Sequence, residues 1–390
     1  MSKNLFDANS LIDAARAQTG LDHFGDAGFR EGLEVLLETY DKNVVDEGSR
    51  QACSQTTLGR LVTRLKMQQA FDEHPEILDI ELKQPMFVTG LPRTGTSAMV
   101  NLLNADPATK SLLLWEIHCP EPLPGWQRGT PDPRHVGMVE YMEANRNPEF
   151  DKIHYAHPDL PEECVMMHAY SFDGVQTGWE IMLEPYSSWF QNHDLTRLYT
   201  EYRNYLKLLQ WQRPGTRWLL KAPAHMWALP VLLDLFPDAN ILWGHRDVVS
   251  VTSSICSMTQ MILSNYMCGG NADQVDAEKF GPLVMEWYAR SLERGLKDRR
   301  ILPQQRFTDY EHDCLVSDSM DTAQRIYAHF DLPFDSDVRG CLQSHMDAHP
   351  QNKHGKHQHR LDQFGMSEAQ VRERFSFYDQ QEWLSQASQR

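Results

Sequence analysis

The run Met86-Phe-Val-Thr-Gly-Leu-Pro-Arg-Thr-Gly-Thr-Ser97 constrains this chain more than any other stretch. A short apolar segment with β preference enters a loop holding Gly90 and Gly95, and a helix is predicted from about Ser97 to Leu103. Strand, glycine loop and helix in that order let backbone N–H groups and a helix N-terminus cradle an anion. The glycines are spaced as in the phosphate-loop pattern G-x-x-x-x-G-K-S/T, but Thr96 stands where that pattern has lysine, and the cation lies inside the loop as Arg93. The loop is therefore expected to hold a phosphate-like group differently from an ATPase. Arg93 offers a fork to paired oxygens, and Thr94, Thr96 and Ser97 offer hydroxyls.

Further along, Arg217–Leu220 and Asn240–Trp243 read as strands with a helix from Met226 to Phe236 between them, which implies a parallel, right-handed crossover. Helices are expected from Val248 to Met261 and from Ala277 to Asp298, and Arg306–Asp309 as an edge strand. Residues 1–80 read as a helical N-terminal region, with apolar residues at three- and four-residue spacing in Gly32–Tyr40 and Leu58–Phe71; its expected use is packing, substrate shielding or homo-oligomer contact. The core unit is expected over 81–365, interrupted at about 110–200 by a Pro-, Trp- and Met-rich insertion, with a helical tail over 366–390.

The formal net charge of -17 argues against nucleic acid, anionic membranes and polyanionic acceptors, so an anionic cofactor would need a local basic pocket. No window resembles a membrane span and the N-terminus lacks a signal-peptide core, so a cytoplasmic protein is expected. The seven cysteines are scattered without a C-x-x-C, which suggests free thiols rather than a disulfide framework or zinc site.

A second constellation is His245-Arg246-Asp247 with Ser254 eight residues after the arginine. Arg246 ends a predicted strand, where open α/β sheets bind ligands, and Ser254 lies about two helical turns on. His-Arg-Asp also occurs in protein kinases, but Thr252 stands at the required asparagine and no Asp-Phe-Gly follows. The histidines His345, His349, His354, His357 and His359 are read as exposed or cofactor-proximal, since no ordered ligand set for a metal emerges.

In combination these motifs resemble the PAPS-dependent sulfotransferases (PAPS is 3′-phosphoadenosine 5′-phosphosulfate), and in particular the bacterial branch whose loop reads G-x-P-R-S/T-G-T. The resemblance spans roughly 85–365 and includes Trp218-Leu-Leu-Lys-Ala-Pro-Ala-His225, Tyr310-Glu311 and Lys353-His-Gly-Lys-His357. It implies an α/β, P-loop-like three-layer fold with a central parallel sheet, and sulfuryl transfer from PAPS to a hydroxyl, less readily an amine, of a small or lipophilic acceptor, leaving 3′,5′-bisphosphoadenosine (PAP) and using no metal. Gly90, Pro92, Arg93, Thr94, Gly95, Thr96 and Ser97 would hold the phosphosulfate, and Arg246 and Ser254 the 3′-phosphate. Tyr310 would contact the adenine, and Lys353, His354, Gly355 and Lys356 would close over the cofactor. Arg93 stands where many relatives have lysine, so electrostatic stabilisation of the leaving phosphate is its expected role.

A general base is also required. Glu116, 23 residues after Arg93, is the leading candidate, with His118 and His225 as alternatives and Glu162 and Glu163 behind them. Lys221 closes an apolar strand. It is read as a second cation near the transferring group, the alternative being a lysine paired with a carboxylate. Of Met166, Met167, Phe172, Trp179, Met182 and Trp189, most are expected in the core and some around an apolar acceptor pocket. A small-molecule P-loop kinase and a non-catalytic nucleotide-binding protein are the competing readings.

Overall fold

The computed structural model describes residues 5–126, 130–146, 156–176, 178–349 and 359–379. Five strands form its frame: β1 (Met86–Gly90), β2 (Thr109–Ser111), β3 (Arg217–Lys221), β4 (Asn240–His245) and β5 (Phe307–Glu311). They make one parallel sheet in the order β2-β3-β1-β4-β5. The connection from β3 to β4 carries the chain across β1, so β1 lies at the point where strand order reverses. A crevice opens at the carboxyl ends of strands at such a point. The register sets Val88 beside Lys221, Gly90 beside Gly244 and Gly244 beside Tyr310. Residues distant in sequence thereby meet at one edge.

The strands β1, β3 and β4 are buried along their whole length, which is why they read as unbroken apolar runs. Phe87, Leu220, Ile241 and Trp243 join one core cluster, while Met86, Val88, Leu219 and Leu242 join another on the opposite face. The second cluster is covered by the helices Thr96–Leu103, Ser319–His329 and Ser336–Ala348, through Met99, Ile326, Tyr327 and Leu342. The first is larger because the N-terminal helices Ala8–Thr19, Phe29–Asn43 and Glu47–Glu73 contribute to it, with Leu33, Leu36, Leu61 and Leu65 fully buried.

Strand β2 is absent from the sequence-based expectation because Thr109-Lys110-Ser111 carries no apolar alternation. Its lysine is buried for another reason. Lys110 Nζ caps the C-terminal end of the helix Thr196–Gln212, donating to the Leu209 carbonyl at 2.9 Å and to the Arg213 carbonyl, over the Trp218 ring. The helix predicted from Met226 divides into a 3₁₀ turn, Pro223–Trp227, and the helix Leu229–Leu235. In the aromatic and Met-rich stretch, Met167, Phe172, Trp179 and Met182 all lie in the first core cluster, and Met166 and Trp189 pack against it. The expectation that most of them lie in the core holds.

A buried ion pair ties the N-terminal helices to the rest. Arg64 meets Glu201 at 2.6 and 2.9 Å and also donates to the Phe24 and Tyr170 carbonyls. Removing Arg64 leaves Glu201 with Arg197 at 3.2 Å as its remaining cation and strips the Phe24 and Tyr170 carbonyls of this donor, at a cost of roughly 1–3 kcal/mol. Arg64→Ala is therefore expected to lower stability by about that amount in urea denaturation; a loss below about 1 kcal/mol would mean that apolar packing alone anchors the region. Among the described residues no helix is long and apolar enough to cross a membrane.

Candidate active site

The loop leaves β1 at Gly90 (φ 112°), and Gly95 (φ 85°) caps the helix Thr96–Leu103. Both angles lie in the left-handed region, which glycine adopts without a Cβ penalty. Gly90 has a second constraint, because a Cβ there would stand 2.5 Å from the Gly244 carbonyl oxygen. Gly244 is equally confined: a Cβ would lie 2.6 Å from the Tyr310 hydroxyl and 2.7 Å from Thr94 Oγ1. The loop thus rests on a platform of Gly244 and Tyr310, and Thr94 donates to the Leu91 carbonyl at 2.8 Å within it. Gly244 is a site residue that sequence reasoning missed, as one glycine in a strand gives no local signal of what it faces.

Arg93 is the loop's one non-glycine residue at positive φ, 67°, a conformation that costs roughly 1–3 kcal/mol without glycine's freedom. Two contacts hold it there. Its Nε donates to Ser254 Oγ at 3.1 Å, and its carbonyl accepts from Arg246 Nη1 at 2.8 Å. Arg93, Arg246 and Ser254 therefore form one linked group at the carboxyl ends of β1 and β4. Crowding and then the like charge of Arg246 lower the Arg93 pKa, with Glu163 opposing. Two arginines facing each other beside a ring of amides is an arrangement that an anion would relieve.

Lys221 completes the cluster from β3. It is 2% exposed, donates from Nζ to Ser97 Oγ at 2.8 Å, and has Glu163 Oε1 at 3.5 Å. Glu163 reaches this position because its segment is pinned to the sheet edge. Glu162 N donates to the Leu112 carbonyl, Cys164 N to the Lys221 carbonyl, and Lys221 N to Cys164 Sγ. Lys221 combines the two roles weighed from sequence: it is a buried cation beside the loop, and it has a carboxylate partner.

A family model for the sulfotransferase family matches residues 85–336, which is more than half of the chain and spans the loop, Lys221, Arg246 and Ser254. The chain belongs to the sulfotransferase family. Two crystal structures are similar over nearly its full length. Sulfotransferase STF9 from Mycobacterium avium has a TM-score of 0.86 and 28% identity, covering 97% of each chain. Sulfotransferase STF1 from Mycobacterium tuberculosis H37Rv has a TM-score of 0.80 and 28% identity, covering 95% of this chain and 98% of the other. Among curated proteins, no significant match was found.

Within this sulfotransferase the candidate bases are sorted by their surroundings. Both oxygens of Glu116 are taken by Arg213 at 2.7 Å each, and one also accepts from Leu113 N to close the start of the helix Leu114–His118. Glu116 is 2% exposed, and none of these partners belongs to the loop. His225 is fully buried, bonds through Nδ1 to the Tyr199 hydroxyl at 2.8 Å, and meets Phe87 edge-on. Burial and then His168 depress its pKa far below the usual range, which disfavours the imidazolium that a base must become. His118 is open to solvent on one side; crowding on the other lowers its pKa, with Glu162 opposing and Arg60 adding. Of the carboxylates weighed, Glu163 is the one brought to Lys221 and the loop.

Tyr310 is 3% exposed, with its hydroxyl against Thr94 behind the loop, and burial raises its pKa; it supports the loop from beneath. Lys353, His354, Gly355 and Lys356 lie outside the described residues. A cleft of about 520 Å³ opens beside Arg246, lined by Ser250, Ser253, His359 and Arg360, with Ser253 Oγ 2.8 Å from His359 Nδ1.

Proposed function

We propose that this sulfotransferase transfers a sulfuryl group from PAPS to a hydroxyl, less readily an amine, of a small or lipophilic acceptor, with Glu163 as the base. The observation carrying this reading is the convergence of the glycine loop, Lys221 Nζ on Ser97 Oγ, and Glu163 beside that lysine. Gly90 and Gly95 supply the left-handed turns that shape the loop, and the N-terminus of the helix Thr96–Leu103 adds partial positive charge. When bound, such a donor supplies a sulfuryl group whose bond to a phosphate oxygen breaks as the acceptor oxygen attacks sulfur.

Each residue has a definite task in this reading. Glu163 accepts the acceptor's proton. Lys221, Arg93 and the loop amides stabilise the negative charge gathering on phosphate and sulfuryl oxygens. Arginine keeps its proton throughout, so Arg93 acts by charge and hydrogen bonding. Arg246 and Ser254 hold the 3′-phosphate, and the Arg246 bond to the Arg93 carbonyl links the two ends of the donor site. The adjacent cleft gives room for the nucleoside.

The test is thermal unfolding with PAP or with ATP and Mg²⁺. PAP is expected to raise the unfolding temperature; stabilisation by ATP with Mg²⁺ alone would overturn the reading. Arg93→Ala and Arg246→Ala are each expected to abolish measurable transfer. Arg246→Ala should weaken PAP binding about 10- to 100-fold by calorimetry, the worth of charged hydrogen bonds of roughly 1.5–3 kcal/mol. Unchanged turnover in either variant would remove its assigned role.

A further inference from the structure

Residue 246 is flanked by two residues that the C-terminal tail grips. On one side, His245 is 1% exposed and its Nδ1 lies 2.6 Å from the Tyr378 hydroxyl. Its Nε2 lies 2.7 Å from Asp309 Oδ1 on β5, and Asp309 is held by both Nη atoms of Arg299 at 2.7 Å. On the other side, Asp247 accepts from Ser250 N to cap the helix Val248–Met267 and pairs with Arg372 at 3.3 Å. Tyr378 and Arg372 both belong to the tail, in the helices Ser376–Asp379 and Glu368–Arg374. Between them Phe375 is 1% exposed and packs in a crevice with Leu91 of the loop, Val251 and Tyr288.

One hydrogen-bond direction is fixed. Burial would raise the Asp309 pKa, but bonds from Arg299 and His245 hold it far below the usual carboxylate range, so Asp309 only accepts and His245 donates from Nε2. Its Nδ1 pairs with the Tyr378 hydroxyl. These two bonds fix the imidazole plane at the end of β4. The residue that follows on the backbone is Arg246, whose guanidinium must reach the Arg93 carbonyl.

We infer that Tyr378 and Arg372 are positioning residues for the donor site, acting through His245 and Asp247 to orient Arg246. The inference rests on the assignment of Arg246 to the donor's 3′-phosphate. It gives the tail 367–379 a share in donor affinity, although no motif marks that segment and it need not touch the ligand.

The test uses the full chain, calorimetry with PAP, and a double-mutant cycle. Tyr378→Phe removes one hydroxyl and leaves the buried Nδ1 without that partner, so it is expected to weaken PAP binding about 5- to 20-fold. KM for PAPS should rise in proportion while kcat at saturating PAPS changes less than about twofold. In the Arg246→Lys background, which keeps the charge but loses the fork, the effect of Tyr378→Phe should shrink to less than about twofold. An equal loss in both backgrounds, or none in either, overturns the inference and leaves the donor assignment standing. Undiminished PAP binding by Arg246→Lys and Arg246→Ala overturns the assignment and the inference together. Arg372→Gln, a change at an exposed residue, repeats the cycle from the opposite flank should Tyr378→Phe fold poorly; the same shrinkage is expected and its absence counts against the inference.

Discussion

Replacing Glu163 by glutamine is expected to lower kcat by about 10²–10⁴-fold, the range that a positioned base contributes. The change keeps size and hydrogen bonding but removes the ability to take a proton. PAP affinity should stay within about threefold, since the proposed task of Glu163 is on the acceptor and its ion pair is with Lys221. Glu116→Gln is the informative comparison. There the lost charge leaves the Arg213 fork without its partner, so stability should fall while kcat holds. A kcat for Glu163→Gln within tenfold of the parent would dismiss it as the base; a large fall for Glu116→Gln at unchanged stability would restore Glu116.

The second large effect concerns Lys221. Lys221→Met fills nearly the same volume and removes one cation beside the loop, so kcat is expected to fall about 10²–10³-fold, the usual worth of one preorganised stabilising group. Stability should move the other way or stay level. A lysine 2% exposed carries a desolvation cost that methionine does not, and Glu163, with its side chain about a third exposed, keeps water when its partner is lost. Higher or equal stability with much lower activity is the signature of a charge retained for function. Denaturation curves and steady-state rates on one preparation decide it. Wild-type kcat in Lys221→Met would leave the lysine a purely structural partner of Glu163.

Much of the frame was legible because its signals are local. The apolar runs at Met86, Arg217 and Asn240 are buried on both faces, and a strand buried on both faces has no choice but to be continuously apolar. The loop was legible because glycine spacing and the positions of Arg93 and Ser97 are themselves sequence facts. Strand β2 was not, since three polar residues at a sheet edge carry no periodicity. The proposed base was not either. Glu116 had the attractive chain spacing, yet Arg213, 97 residues away, occupies it; Glu163 had no spacing argument and is carried to the site by hydrogen bonds from neighbouring backbone to Leu112 and Lys221.

The sequence by itself determined that a glycine loop follows a central strand, that its cation is an arginine, and that a second arginine follows another strand with a serine eight residues on. Only the tertiary structure decided what surrounds them. It set Gly244 and Tyr310 beneath the loop, joined Arg246 to the Arg93 carbonyl, brought Glu163 to Lys221, and tied Tyr378 to His245. The division has one cause. A backbone cradle is built from consecutive residues, whose conformational preferences are written in their own side chains. A charged pair or proton relay is built from residues tens to hundreds of positions apart, and strand order and register decide which of them meet.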